Sequence, residues 1–281
     1  MKLSLSRISA ATILALLAIA GTGCTLVNKI RAKNELNETA RSYKEGHFEE
    51  AEQHAKRALE LDPNNPTAPI FIARVIHQQY KPGVDAPENI AKAKEAIDAY
   101  KRVLAKDPDN EEAYKAVSVL YAAIKDDQKL RDWISVRATN SNFPSDKRAE
   151  AYAILSGKDW DCSHKITELP EVKVISDVGG KPNVTYKKPK DPKDFDTASK
   201  CVVRGLEEAN NALKYDPNNE TAWSYDANLF VEQARLAEMD GKMDQKALAE
   251  KKADEANQRA TTLGEARKKR EEAAAPPAAS P

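Results

Sequence analysis

Residues 34–65, NELNETARSYKEGHFEEAEQHAKRALELDPNN, decide the fold. Small and apolar residues recur at helical spacing on both sides of Gly46, and the run closes on Asp62-Pro63-Asn64-Asn65. Proline lacks the amide hydrogen that a helix needs and pushes the preceding Asp out of the helical region, so one helix ends there. An Asn just beyond it can accept from the first free amides of the next helix. The stretch therefore predicts two helices joined by a tight turn at Gly46 and stopped at Pro63.

Working outward, the same cassette returns at Asp107-Pro108-Asp109-Asn110 and at Asp216-Pro217-Asn218-Asn219. Asn65-Pro66 would place proline at the first position of the next helix, where its missing donor costs nothing. Asn110 is followed by Glu111 and Glu112, acids that suit the positive end of a helix. Successive cassettes are spaced by a helix-pair period of roughly 34 residues, with the surplus falling on Tyr80–Glu88 and on the span from Cys162 to Cys201.

Residues 34–65 resemble a tetratricopeptide repeat. Gly46 stands in the inter-helix turn, Ala51 and Ala58 at the close-packing positions, and Pro63 at the end of the unit. Glu35, Glu38 and Thr39 replace the usual W, L and G of the first helix, as suits a terminal repeat with a polar outer face. Ala73 and Ala96 take the small positions of the second unit, with Pro108 closing it. After Pro217, Trp223 and Ala227 occupy the places of W and G/A in the last. The resemblance implies an all-α chain, a tetratricopeptide-like α-solenoid of stacked antiparallel helix pairs. Its repeats fall at about 34–65, 66–110 with a loop insertion, 111–140, 145–219 with an insertion at 163–200, and 220–263. Residues 264–281, charged and then Ala/Pro-rich, read as a disordered tail because they bury too little apolar area to offset their ordering entropy.

Composition agrees with helices: of 281 residues 31% are charged, 6% are aromatic and only 10 are glycine. With 44 Lys+Arg against 44 Asp+Glu the chain lacks the basic excess on which general nucleic-acid binding rests. No nucleophile elbow, phosphate loop or metalloprotease motif occurs, so the expectation is no enzyme, no cofactor and no metal.

Between the two later cysteines the pattern changes. Residues 171–176 and 183–187 are β-rich and flank a Gly179-Gly180 turn, which predicts a small hairpin. A Cys162–Cys201 disulfide would fasten this excursion to its repeat, worth about 4 kcal/mol in the chain-entropy model. The rival reading is a metal or redox site built from Asp161, Cys162, His164 and Cys201, although no second cysteine pair supports it. His164 otherwise reads as a surface residue.

The N-terminus reads as an address. Lys2 and Arg7 precede the apolar run 10–20, too short to span a bilayer comfortably, as in an export signal over 1–23. Ala18-Ile19-Ala20 suits one cleavage site, while Gly21-Thr22-Gly23-Cys24 resembles a bacterial lipobox. Cysteine parity favours the second, with lipidation at Cys24, a tether over 24–33, and Cys162 and Cys201 left to pair in an oxidising compartment. Resemblance to the lipoproteins of enteric bacteria, with Thr25 and not Asp after the cysteine, implies outer-membrane sorting, periplasmic side.

In the repeat family the first helices of successive units line a concave face. The resemblance places Tyr43 and Lys44, Arg74 and His77, Val119 and Ala123, and Asn228 and Glu232 on that face, with a protein or peptide of the cell envelope as partner. The function expected is an interaction scaffold tethered to the membrane by lipid, its oligomeric state unspecified. The rivals are the metal or redox protein and a structural protein that self-associates through its C-terminal helix.

Overall fold

In the computed structural model, residues 5–274 are described, with side chains from Thr25 onward except that of Val178. The side chains of residues 1–24, that of the expected lipidation position Cys24 among them, and residues 275–281 thus lie outside what is described. The chain divides into two units at Leu130/Arg131.

The first unit holds α1 (Leu5–Glu45), α2 (Phe48–Leu61), α3 (Ala68–Gln79), α4 (Pro87–Lys106) and α5 (Glu111–Ala123), and α6 (Asp127–Thr139) begins in it. Antiparallel neighbours close on one another where side chains are short. Ala51, Ala55 and Ala58 of α2, Ala73 of α3, and Ala93 and Ala96 of α4 are all fully buried. Gly46 turns the chain from α1 into α2 at φ +81°, a conformation that costs other residues a steric clash. Residues 24–33, expected as a tether, belong to α1, and Ala32 is buried against Ala58 and Ala68.

Each cassette ends its helix in the same way. Asp62, Asp107 and Asp216 donate their amides to Ala58, Val103 and Ala212, four residues back. Asn110 then caps α5 by accepting from Ala113 at 3.0 Å, and Asn219 caps the helix Glu220–Met239 by accepting from Ala222 at 2.9 Å. The first cassette departs from expectation. Helix α3 starts at Ala68 with Pro69 in its first turn, so Pro66 lies outside the helix. Asn65 still accepts from Thr67 and Ala68, at 2.9 and 3.0 Å, across a longer turn. The Tyr80–Ala86 loop is held chiefly by the side chain of Asn89, with Lys125 also donating to Asp85 at 3.3 Å. The Asn89 side-chain carbonyl accepts from the Lys81 amide, and its amide donates to the Lys81 and Val84 carbonyls.

The second unit holds the rest of α6, then α7 (Ser145–Thr167), β1 (Lys173–Val178), β2 (Lys181–Tyr186), α8 (Pro192–Tyr215), α9 (Glu220–Met239) and α10 (Met243–Ala274). Cys162 and Cys201 are bonded to each other, Cα atoms 6.1 Å apart. Both lie inside helices, because α7 and α8 run well into the span 163–200 and leave only residues 168–191 outside the helix pair. The strands reach two residues nearer the turn than the β-rich segments. Strand pairing continues to Val178↔Lys181, since Gly179 and Gly180 both take positive φ and make a two-residue turn. The expected tail is helical through Ala274, and Arg267 bonds to Glu220 and Glu271.

The core of this unit is Ala198, Val202, Leu229 and Leu236, with Trp160, Phe195 and Met239 packed around it. It also buries three carboxylates, Asp159, Asp226 and Glu232, of which the first and last are paired. Asp159, fully buried, accepts from Arg131 at 2.5 Å and from Nε of Arg204 at 3.0 Å. Glu232 accepts from Thr167 at 2.7 Å, Ser163 at 3.2 Å and Arg235 at 2.7 Å, with His164 Nδ1 3.1 Å away. Asp159 and Glu232 are thus met by cations and donors, which offsets the cost of removing them from water.

Candidate peptide-binding groove

In the first unit, α1, α3 and α5 are the first members of successive pairs, and one turn of each faces a shared concavity of about 410 Å³. Tyr43 comes from the last turns of α1, Arg74, His77 and Gln78 from α3, and Lys115, Ala116 and Val119 from α5. Tyr100 of α4 closes the floor. These positions share a face because a helix returns to the same side every three to four residues.

Packing fixes the aromatic members. Tyr43 meets Phe48 edge to face with ring centroids 5.5 Å apart, and His77 meets Tyr100 perpendicularly at 5.8 Å. His77 Nδ1 lies 3.3 Å from the Tyr100 hydroxyl. Burial lowers the pKa of His77, favouring the neutral imidazole, and raises that of the Tyr100 phenol. Val119 stands 58% exposed, an apolar side chain presented to solvent on the inner face.

Arg74, expected to hold a ligand carboxylate, already holds one. Its guanidinium grips Glu112 through two nitrogens, which raises the pKa of Arg74 and lowers that of Glu112. Glu112 had been read only as an acid suited to a helix start, and nothing in the chain marks it as the partner of a residue on the preceding first helix. Lys115 is the groove cation outside that pair, and the sequence reading missed it. Lys44 is exposed but does not line the concavity.

The remaining two positions belong to the second unit. Asn228 is exposed on α9. Glu232 is not a groove residue: only 1% of it is exposed, and its carboxylate is consumed by Ser163, Thr167, His164 and Arg235. The resemblance to the repeat family places it on the inner face one turn after Asn228, but that turn points into the α7 contact. His164, expected on the surface, is half-buried, stacked on Trp160 at 4.7 Å and directed at Glu232. Cys162 and Cys201 have spent their sulfurs on each other, which removes the thiolates that the metal reading required.

No family model matches the chain, and no curated protein matches it. Solved structures similar to it include a MamA double mutant of strain RS-1, at 17% identity and TM-score 0.42, covering 84% of this chain and 96% of that one. YrrB, described as a TPR protein with an unusual peptide-binding site, is 13% identical with TM-score 0.39, covering 88% and 97%. PilF of Pseudomonas aeruginosa is 13% identical with TM-score 0.37, covering 79% and 90%. Likeness of this degree leaves the assignment to the chain's own features. Alanine-packed antiparallel helix pairs, a glycine turn and the repeated Asp-Pro-(Asn/Asp)-Asn stop make it a tetratricopeptide-like all-α protein with a β-hairpin insertion.

Proposed function

We propose that the chain is a non-catalytic scaffold that holds a protein or peptide segment of a cell-envelope partner in the concavity of its first unit. One observation carries this reading: Tyr43, His77, Lys115 and Val119 come from three separate helix pairs and face one space. An exposed valine, an aromatic edge and a cation together suit an extended peptide with an apolar side chain and an acidic neighbour. The Arg74–Glu112 pair shapes the wall and leaves Lys115 as the anchoring charge.

The location proposed is the envelope, with export directed by residues 1–23 and Cys24 carrying lipid on the periplasmic side of the outer membrane. The Cys162–Cys201 bond supports an oxidising compartment. Incorporation of a palmitate analogue that disappears in Cys24→Ala would establish the anchor.

A photo-crosslinking residue at Val119, in intact cells, tests the groove. The expected result is one dominant adduct that is lost in Tyr43→Ala/Lys115→Ala and is absent when the crosslinker replaces exposed Arg57. Equal adducts from both positions would remove the groove from the function.

A further inference from the structure

The turns of α1 that follow Cys24 carry a surface that the helix-pair packing does not use. Leu26, Val27 and Ile30 are 62%, 47% and 56% exposed, so three large apolar side chains stand in water on adjacent turns. With about 100° of arc per residue, they fall on one side of the helix. Ala32, Leu36 and Thr39, which face the α2 and α3 packing, fall roughly opposite. The core therefore cannot cover the apolar strip.

Charge frames it. Lys29 and Lys33 flank one edge of the strip and Arg31 the other, and all three are exposed. No acid occurs from Thr25 to Asn34. An apolar strip edged by cations on long flexible stems is the pattern of a helix lying in a bilayer interface, with its stems reaching back to headgroups. A basic cluster of this kind is drawn to anionic lipid. Among the described residues no helix is long and apolar enough to cross a membrane, so the strip has the character of a surface contact.

We propose that Leu26, Val27 and Ile30 insert into the interface of an anionic membrane while Lys29, Arg31 and Lys33 bind its headgroups. This rests on the lipid at Cys24, which would leave the strip within two turns of the bilayer. Two weak attachments then act together, because the anchor raises the strip's effective concentration at the surface. The consequence is an oriented scaffold, with α1 held against the membrane.

The test uses full-length chain purified from envelopes with Ile30→Cys, labelled with an environment-sensitive fluorophore and reconstituted into vesicles carrying brominated acyl chains. Asn37→Cys, on the same arc about two turns on, is the control. The expected result is a blue-shifted, strongly quenched label at position 30 in vesicles with one-third phosphatidylglycerol, and a water-like label at 37. The shift should vanish in pure phosphatidylcholine and in Lys29→Gln/Arg31→Gln/Lys33→Gln. A water-like label at 30 on a chain that floats with vesicles overturns the strip while leaving the anchor intact. Uptake of a second label identifies an unacylated Cys24 and overturns the anchor instead. In that case the Cys24→Ser chain on the same anionic vesicles decides the strip by the same shift. A label already shielded without lipid assigns the strip to a protein contact, and also overturns the proposal.

Discussion

Arg74 of α3 and Glu112 of α5 lie 38 residues apart and close on each other through two guanidinium nitrogens, tying one repeat's inner helix to the next. The pair stands on the wall of the groove, with side chains 39% and 46% exposed. Water screens such a pair, so its contribution to stability should be small, about 0.2–1 kcal/mol. We expect Arg74→Ala and Glu112→Ala each to lower the unfolding midpoint slightly, and a double-mutant cycle to give a coupling in that range. Coupling should fall further at 0.5 M salt, and no change with salt would contradict a screened pair.

Glu232 should behave in the opposite manner. Its carboxylate is buried and accepts from several donors, so removing it takes the acceptor from Ser163 and leaves Arg235 with Glu168 alone and Thr167 with the His164 carbonyl. Glu232→Ala is expected to cost about 1–3 kcal/mol, as for buried donors deprived of an acceptor. Glu232→Gln keeps an acceptor and should cost less. Chemical denaturation measures both, and equal, small effects would show that the cluster is not load-carrying.

These two carboxylates explain what the sequence disclosed and what it withheld. Pro63, Pro108 and Pro217 stop helices wherever they occur, so the helix pairs were legible from local chemistry. Ala51, Ala58, Ala73 and Ala96 mark close packing because a short side chain has few other uses at helical spacing. In a chain that is 31% charged, however, Glu112 and Glu232 look like any solvated acid. One proves to be a groove residue and the other a core residue, and the difference lies in which way a helix is rotated about its axis. The lengths of α7 and α8 were hidden for a related reason. The polar stretches around Lys165 and Lys193 weaken the helical pattern, although Asp191 caps α8 by accepting from Lys193.

The Cys162–Cys201 bond closes a loop of 39 residues around the hairpin and joins α7 to α8 within the helices. Reduction, or Cys162→Ala/Cys201→Ala, should therefore lower stability by about 2–4 kcal/mol. The effect should appear in the second unit, read by hydrogen exchange of α7 and α8. Loss of protection confined to residues 168–191 would mean that the bond restrains only the hairpin.

Asp226 of α9 provides a pH signature. Burial raises its carboxyl to about 6, with Lys252 only partly offsetting the shift. Its pKa in the unfolded chain is the ordinary 3.8, so between these values the folded state binds more protons than the unfolded one. Stability contributed by the protonated carboxyl is full below about pH 4 and is lost as pH rises through about 6. Asp226→Asn, neutral throughout, should raise the thermal midpoint at pH 8 by a few degrees and flatten its decline between pH 4 and 6. A variant less stable than the parent at pH 8 would show that the charged form of Asp226 makes a net favourable contact.

Gly157 of α7 tests how closely the second unit is packed. A Cβ added there would lie 2.5–2.9 Å from atoms of the Tyr225 ring, closer than packed atoms approach. The ring is rigid and already lies beside Trp160, with centroids 6.1 Å apart, so it cannot yield by changing a flexible tip. Alanine is ordinarily the better helix former by about 1 kcal/mol, but here the clash should win. We expect Gly157→Ala to destabilise by about 1–3 kcal/mol, the usual range for overpacking. Tyr225→Ala removes the obstructing ring and leaves a cavity that the new methyl partly fills. The double variant should therefore be more stable than the sum of the two single changes predicts. Strict additivity would mean that α7 and α9 do not meet at Gly157 and Tyr225.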